Sequence, residues 1–275
     1  MKITNLPNSM NKKISLLFGA LALGVLPAIA QTTAPATPAP AAPSSSWVFT
    51  SSVASQYMFR GVRLGGPSFQ PALEFDSGNV AVGVWANTPL KDKVEGQSDP
   101  EFDFYASYTF EQIKDTLTWV PGITIYTYPN ATRANGFYTA TVEPNLALNY
   151  TIAGLKLTPK VYYDFVLKGP TFEFNAAYTV PLTDLKTELD FTGTVGTFLW
   201  TSAAPDQGAN VRNYGDYYLV GVALPFQVSK DSKLTLGFAY TNGSNNFLKV
   251  GTTPKFANTA AVGRGVVTLS YAITF

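Results

Sequence analysis

Bulky apolar side chains recur at every second position along most of the chain beyond residue 46. The last nine residues show this most clearly: Val267, Leu269, Tyr271, Ile273 and Phe275 alternate with Thr268, Ser270, Ala272 and Thr274. A period of two puts the large set on one face of a β-strand and the small set on the other. About twelve such segments follow one another, separated by turn signals. They run Trp47 to Gly61, Ser68 to Asp76, Asn79 to Leu90, Pro100 to Phe110, Thr116 to Tyr128 and Phe137 to Tyr150. Leu155 to Lys168, Thr171 to Val180, Lys186 to Trp200, Tyr214 to Phe226, Lys233 to Thr241 and Val262 to Phe275 complete the set. In the fourth, Phe102, Phe104, Ala106, Tyr108 and Phe110 stand against Glu101, Asp103, Tyr105, Ser107 and Thr109. The fifth carries Pro121-Gly122 in its middle, which predicts a bulge or kink.

The connectors alternate in length. Asp76 to Asn79, Ile152 to Gly154, Pro181 to Asp184 and Ser229 to Ser232 are short turns. Lys91 to Asp99, Thr201 to Asn213 and Asn242 to Ala261 are longer and rich in Gly and Asn, while Lys168-Gly169-Pro170 is a tight turn where a long loop was due. Short turns on one rim and long loops on the other is the pattern of an outer-membrane barrel. A soluble β-sandwich also alternates, with its apolar faces sharing a core. Two features oppose it: the polar parity is rich in Thr, Ser, Asn, Ala and Gly rather than Lys and Glu, and the segments exceed the usual five or six residues of sandwich strands. The predicted fold is therefore all-β, a single antiparallel transmembrane barrel of about twelve strands over residues 47–275. Leu269, Tyr271, Ile273 and Phe275 resemble the terminal signature read by the barrel-insertion machinery of such proteins.

At the other end, Lys2, Lys12 and Lys13 precede an apolar run from Ile14 to Leu26, then Ala28-Ile29-Ala30. This is the layout of a signal peptide over residues 1–30, cleaved after Ala30; the run is too short for a helix that spans a bilayer. Residues 31–46 are almost wholly Ala, Pro, Thr and Ser, a spacer with no core-forming side chains. Both ends of an even-stranded barrel lie on one side, here expected to be the periplasmic side of a bacterial outer membrane.

Composition adds exclusions. Charged residues are only 13% of the chain while aromatics reach 14%, which suits interfacial belts. Without Lys2, Lys12 and Lys13 the formal balance is 16 basic against 18 acidic residues, a net of −2 with no charge run. Nucleic acid is not an expected partner. There is no Cys and no His. Disulfides and thiolate sites are therefore absent, and the histidine-dependent barrel enzymes (outer-membrane phospholipases, omptin-like proteases, lipid A deacylases) cannot be built. A carboxylate pair could hydrolyse glycosides, but nothing separates these acids from ordinary lumen residues, so no enzyme activity is expected. Asn130, Asn149 and Asn242 open chance sequons, and Gly61 to Gly66 lacks the ending of a phosphate-binding loop and reads as a hairpin turn.

The parity opposite the lipid face puts Arg60, Glu74, Glu101, Asp103, Glu143, Lys160, Asp164, Glu173, Glu188 and Asp190 in the lumen. Charge is costly among acyl chains, about 2–4 kcal/mol for a basic residue at the midplane. These residues either contact solute or brace the barrel by pairing across it. Glu101/Asp103 and Glu188/Asp190 each share a face, but two carboxylates without a ligating loop make a poor Ca²⁺ site; no metal or cofactor is expected.

Ser55-Gln56-Tyr57-Met58-Phe59-Arg60-Gly61-Val62 resembles the Ser-Asp-Tyr-x-Phe-Arg-Gly signature of TorF-type porins, the Gcw_chp family. Gln70 to Leu73, Gly83 to Asn87 and Glu101 to Tyr105 resemble it too, with weaker likeness through Tyr126 to Pro129 and Tyr138 to Glu143. Gln56 departs from the family's Asp. The resemblance implies an outer-membrane, porin-like protein without implying a solute. On this reading Tyr57 and Phe59 face the outer girdle, Arg60 points inward near the external rim, and Gly61 opens the loop. Two functions follow: a porin passing small hydrophilic solutes, or a non-conducting barrel with a structural or interaction role. Arg60, Lys160, Tyr105 and Tyr162 filling the lumen would favour the second. Lipid is a partner in either case, and a homo-oligomer stays open.

Overall fold

The computed structural model describes residues 45–92, 99–131, 139–201, 213–243 and 263–275. The predicted signal peptide, most of the spacer and the interiors of the three long connectors lie outside these residues.

Within them the alternation produces strands. The first stretch gives β1 (Ser45–Ala54), β2 (Tyr57–Phe59), β3 (Val62–Gly65), β4 (Ser68–Ser77) and β5 (Val80–Pro89). Next come β6 (Glu101–Tyr108), β7 (Phe110–Ile113), β8 (Leu117–Thr127), β9 (Ala140–Ile152) and β10 (Leu155–Asp164). The last are β11 (Gly169–Leu182), β12 (Thr187–Trp200), β13 (Asn213–Ser229), β14 (Ser232–Gly243) and β15 (Arg264–Thr274). Apart from β2 and β3, each strand pairs antiparallel with its neighbours in the wall, and β1 joins both β4 and β15. Pairing of β6 with β8 completes the ring. With β6 and β7 forming one interrupted wall strand, the result is a closed antiparallel barrel of twelve strands.

The interruption has a local cause. Ser107 pairs with Gly122 and Phe110 with Trp119 in one register, leaving Tyr108 and Thr109 unpaired opposite Pro121 and Val120. Pro121 has no N–H to donate. The Thr109 N–H instead donates to the Asn79 carbonyl at 2.8 Å. The break predicted at Pro121-Gly122 thus falls in the partner strand, while β8 pairs continuously with β9.

Side-chain direction follows parity. On β6, Phe104 is 50% exposed and its neighbour Asp103 only 5%. Phe172 and Phe174 face outward on β11, with Glu173 buried between them. A soluble protein rarely leaves so continuous an apolar surface open; lipid is the medium it fits. Leu269, Tyr271 and Phe275 are exposed on the same outer face, beside half-buried Ile273.

The first predicted strand is the chief correction. It does not run to Gly61: β1 stops at Ala54, and the chain turns into the barrel as the β2–β3 hairpin before rejoining the wall at Ser68. Tyr57, expected at the outer girdle, is 1% exposed inside, and Phe59 packs against the inward Tyr126. Tyr57-Met58-Phe59 is apolar on both faces, as a strand covered on both sides must be. The turn expected at Lys168-Gly169-Pro170 falls at residues 165–168, with Gly169 and Pro170 already in β11.

Candidate functional site: the barrel lumen

The hairpin turns at Arg60 and Gly61, both at positive φ (48° and 77°), the conformation a two-residue hairpin turn demands. A Cβ on residue 61 would stand 2.6 Å from the Asn242 carbonyl oxygen, so only glycine lets the tip rest against β14. Tyr57, Val62 and Leu64 pack with Trp85, Phe198, Trp200 and Tyr217 of the wall. Met58 meets Ala54, Leu219, Ala239 and Val266. This apolar packing lies toward the rim that carries the long connectors, the loop rim. The other rim carries the short turns and the Ser45 and Thr274 ends of β1 and β15.

Arg60 reaches across the lumen. Its Nη1 and Nη2 donate to Oε1 and Oε2 of Glu143 on β9, both at 2.9 Å. Such a bidentate fork is the strongest geometry an ion pair offers. Glu143, 0% exposed, also accepts the Tyr126 hydroxyl at 2.9 Å. The guanidinium lies 4.6 Å from the Phe59 ring centre, 4.9 Å from that of Tyr162 and 5.7 Å from that of Trp200. A buried cation is thus surrounded by one carboxylate and three π-faces.

The other inward acids are held mainly by neutral donors. Glu101 accepts the hydroxyls of Tyr57 (2.7 Å) and Tyr128 (2.9 Å). Glu173 accepts those of Tyr217 (2.7 Å) and Tyr162 (3.2 Å), and the Asn175 amide at 2.8 Å. Asp164 accepts the Thr141 hydroxyl and the backbone N–H groups of Val166 and Leu167, each at 2.7 Å, which fixes the β10–β11 turn. Nearer the turn rim, Tyr105 donates to Glu74 at 2.9 Å and Thr179 to Asp190 at 2.7 Å. Glu188 is half-buried there, opposite Pro181. Lys160 sits 4.6 Å from the Tyr162 ring centre.

Of the ten charged residues predicted for the lumen, the structure gathers Arg60, Glu101, Asp103 and Glu143 around the hairpin, with Asp164, Glu173 and Lys160 on the adjoining wall. Glu74, Glu188 and Asp190 lie apart toward the turn rim. Of the four residues whose packing bears on an open lumen, Arg60, Tyr105 and Tyr162 are buried and Lys160 is half-buried. Sequence reasoning missed Tyr126, Tyr128, Tyr217 and Trp200 as partners of the inward charges. Their signal was present: each is an aromatic on the small-residue parity, where a water-filled lumen gives it no reason to be. Among the described residues no three His, Cys, Asp or Glu side chains converge as metal ligands.

The family model described as "Bacterial protein of unknown function (Gcw_chp)" matches residues 40–262, and the chain belongs to that family. Among solved structures the barrel is similar to the KdgM porin (TM-score 0.51, 11% identity, 84% of this chain and 99% of that one). It is similar to the KdgM porin in complex with disordered oligogalacturonate (TM-score 0.50, 11% identity, the same coverage). The NanC porin gives a TM-score of 0.50 at 9% identity over 82% of this chain and 98% of that one. At such identity the likeness concerns the fold. No curated protein matches the sequence.

Proposed function

With family membership as the premise, we propose that the chain is an outer-membrane, porin-like channel whose lumen is narrowed by its own inward hairpin. The observation that carries this is the inside-out wall: apolar side chains outward, and charged or small ones around an interior that the hairpin occupies at one end. Lipid then covers the outer face, and small hydrophilic solutes pass by diffusion, selected by width and field. The similarity to porin barrels supports the architecture. The residues with the TorF-type signature, Ser55 to Val62, include the tip of the hairpin and Arg60, so the likeness lies in the element that sets the bore. In this reading the ten predicted charges line or brace the passage, residues 1–30 direct export, and the spacer of residues 31–46, whose Ser45 and Ser46 already open β1, tethers the barrel on the periplasmic side. Oligogalacturonate, named with one KdgM structure, carries carboxylates that would meet the many acids here, and it is not proposed as the solute.

A second reading, a non-conducting barrel, is favoured by the burial of Arg60, Tyr105 and Tyr162. Single-channel recording in planar bilayers separates the two. The channel reading expects conductance above lipid background, increased when residues 56–67 are replaced by a short Gly-Ser linker. Silence from both proteins would overturn it in favour of the second.

A further inference from the structure

We infer that the passage prefers cationic solutes, and that Asp103 is the wall charge most responsible; this rests on the channel reading above. Toward the loop rim the inward acids Glu101, Asp103, Asp164 and Glu173 have no salt-bridge partner among the described residues. Arg60 is committed to Glu143, and the other half-buried bases toward this rim among the described residues, Lys160, Arg63 on β3 (bonded to Gln56) and Arg264 on the inward parity of β15, are one fewer than these four acids. Fixed negative charge within low-dielectric walls concentrates cations and repels anions.

Asp103 differs from its neighbours. Glu101 and Glu143 spend their oxygens on the hairpin and on tyrosine hydroxyls. Asp103 lies on the same inward parity of β6, 5% exposed, and its Oδ1 makes no hydrogen bond. Its cross-strand partners are Trp85 on β5 and Tyr126 on β8. Thr124, opposite Tyr105 and toward the turn rim from Asp103, is buried with its Oγ1 also without a partner. The Asp103 carboxylate therefore faces the interior beside the hairpin with unspent accepting capacity. Buried polar groups are normally satisfied, so this carboxylate suits a hydrated or ammonium-type cation in transit. With no three acidic, His or Cys side chains converging among the described residues, it offers passage rather than a permanent metal centre.

The test is the reversal potential of the reconstituted full-length barrel in a potassium chloride gradient. The wild type should favour potassium over chloride. Asp103→Asn should lower the permeability ratio by about sevenfold, because one unit charge some 7 Å from the ion path in water favours the cation and disfavours the anion by about threefold each. Asp103→Glu, which keeps the charge, should hold the ratio, and heat-dependent gel mobility verifies that each barrel is folded. Chloride preference in the wild type, or a ratio unmoved by Asp103→Asn, would overturn the inference while leaving a channel. Absence of current in both the wild type and the hairpin-replaced barrel would overturn the channel reading itself.

Discussion

Replacing Arg60 by alanine leaves Glu143 fully buried with a single neutral donor, the Tyr126 hydroxyl. Removing one member of a buried pair costs roughly 3–5 kcal/mol. The hairpin can relieve this by undocking and admitting water. Undocking also exposes Tyr57, Met58, Val62 and Leu64, all buried now, at about 1.5–3 kcal/mol for each large apolar side chain. Their combined burial, on the order of 6–12 kcal/mol, exceeds the charge penalty. The hairpin should therefore stay docked most of the time, while its undocked population rises by roughly 10²–10³, since 1.4 kcal/mol is a factor of ten. In single-channel traces this appears as brief openings above the resting level, far more frequent than in the wild type. Arg60→Met combined with Glu143→Leu removes both charges and should return the trace to quiet, because an apolar pair of similar volume replaces a buried ion pair at little cost. Unchanged opening frequency in Arg60→Ala, or a double variant as noisy as the single one, would show that the Arg60–Glu143 pair does not hold the hairpin in place.

Other outcomes follow from the same geometry. Gly61→Val should prise the hairpin tip from Asn242 and Gly243, because its Cβ has no room there and a β-branched residue resists positive φ. In reconstituted vesicles, trypsin should then cut at Arg60 or Arg63, which the wild type should resist. Val220→Arg, on the outer face of β13, should destabilise the barrel by about 2–4 kcal/mol if it lies near the membrane midplane. Thr192→Lys, inward on β12 and half-buried, should change stability far less; urea titration of vesicle-folded protein compares the two.

Legibility in the sequence tracked how local the cause was. Strand existence and facing were readable because a period of two is written into every wall segment, as in Phe172, Phe174 and Tyr178 against Glu173 and Asn175. The short turns, such as Ala153-Gly154 and Lys230-Asp231, were readable from their residue types. The hairpin was not, because Tyr57 and Phe59 continue the parity of Trp47, Phe49 and Val53 without a break. What separates them is the apolar Met58 between them, a two-sided pattern that only an enclosed strand can use. The kink was placed on the wrong strand because Pro121 withholds its hydrogen bond from the partner, leaving its own strand continuous. The Arg60–Glu143 pair spans 83 residues of sequence, and nothing local marks which of the inward acids the guanidinium will choose.

The inside-out wall can be tested residue by residue, because the chain contains no Cys and single cysteines can be introduced cleanly. Nitroxide labels placed in turn at positions 172 to 179 of β11, in reconstituted bilayers, report collision with oxygen in lipid or with a water-soluble nickel complex. Labels at 172, 174 and 178 should show high oxygen and low nickel collision, and those at 175, 177 and 179 the reverse. A flat profile, or oxygen access at 175, 177 and 179 with nickel access at 172, 174 and 178, would contradict a barrel whose apolar face meets lipid and whose polar face surrounds a lumen.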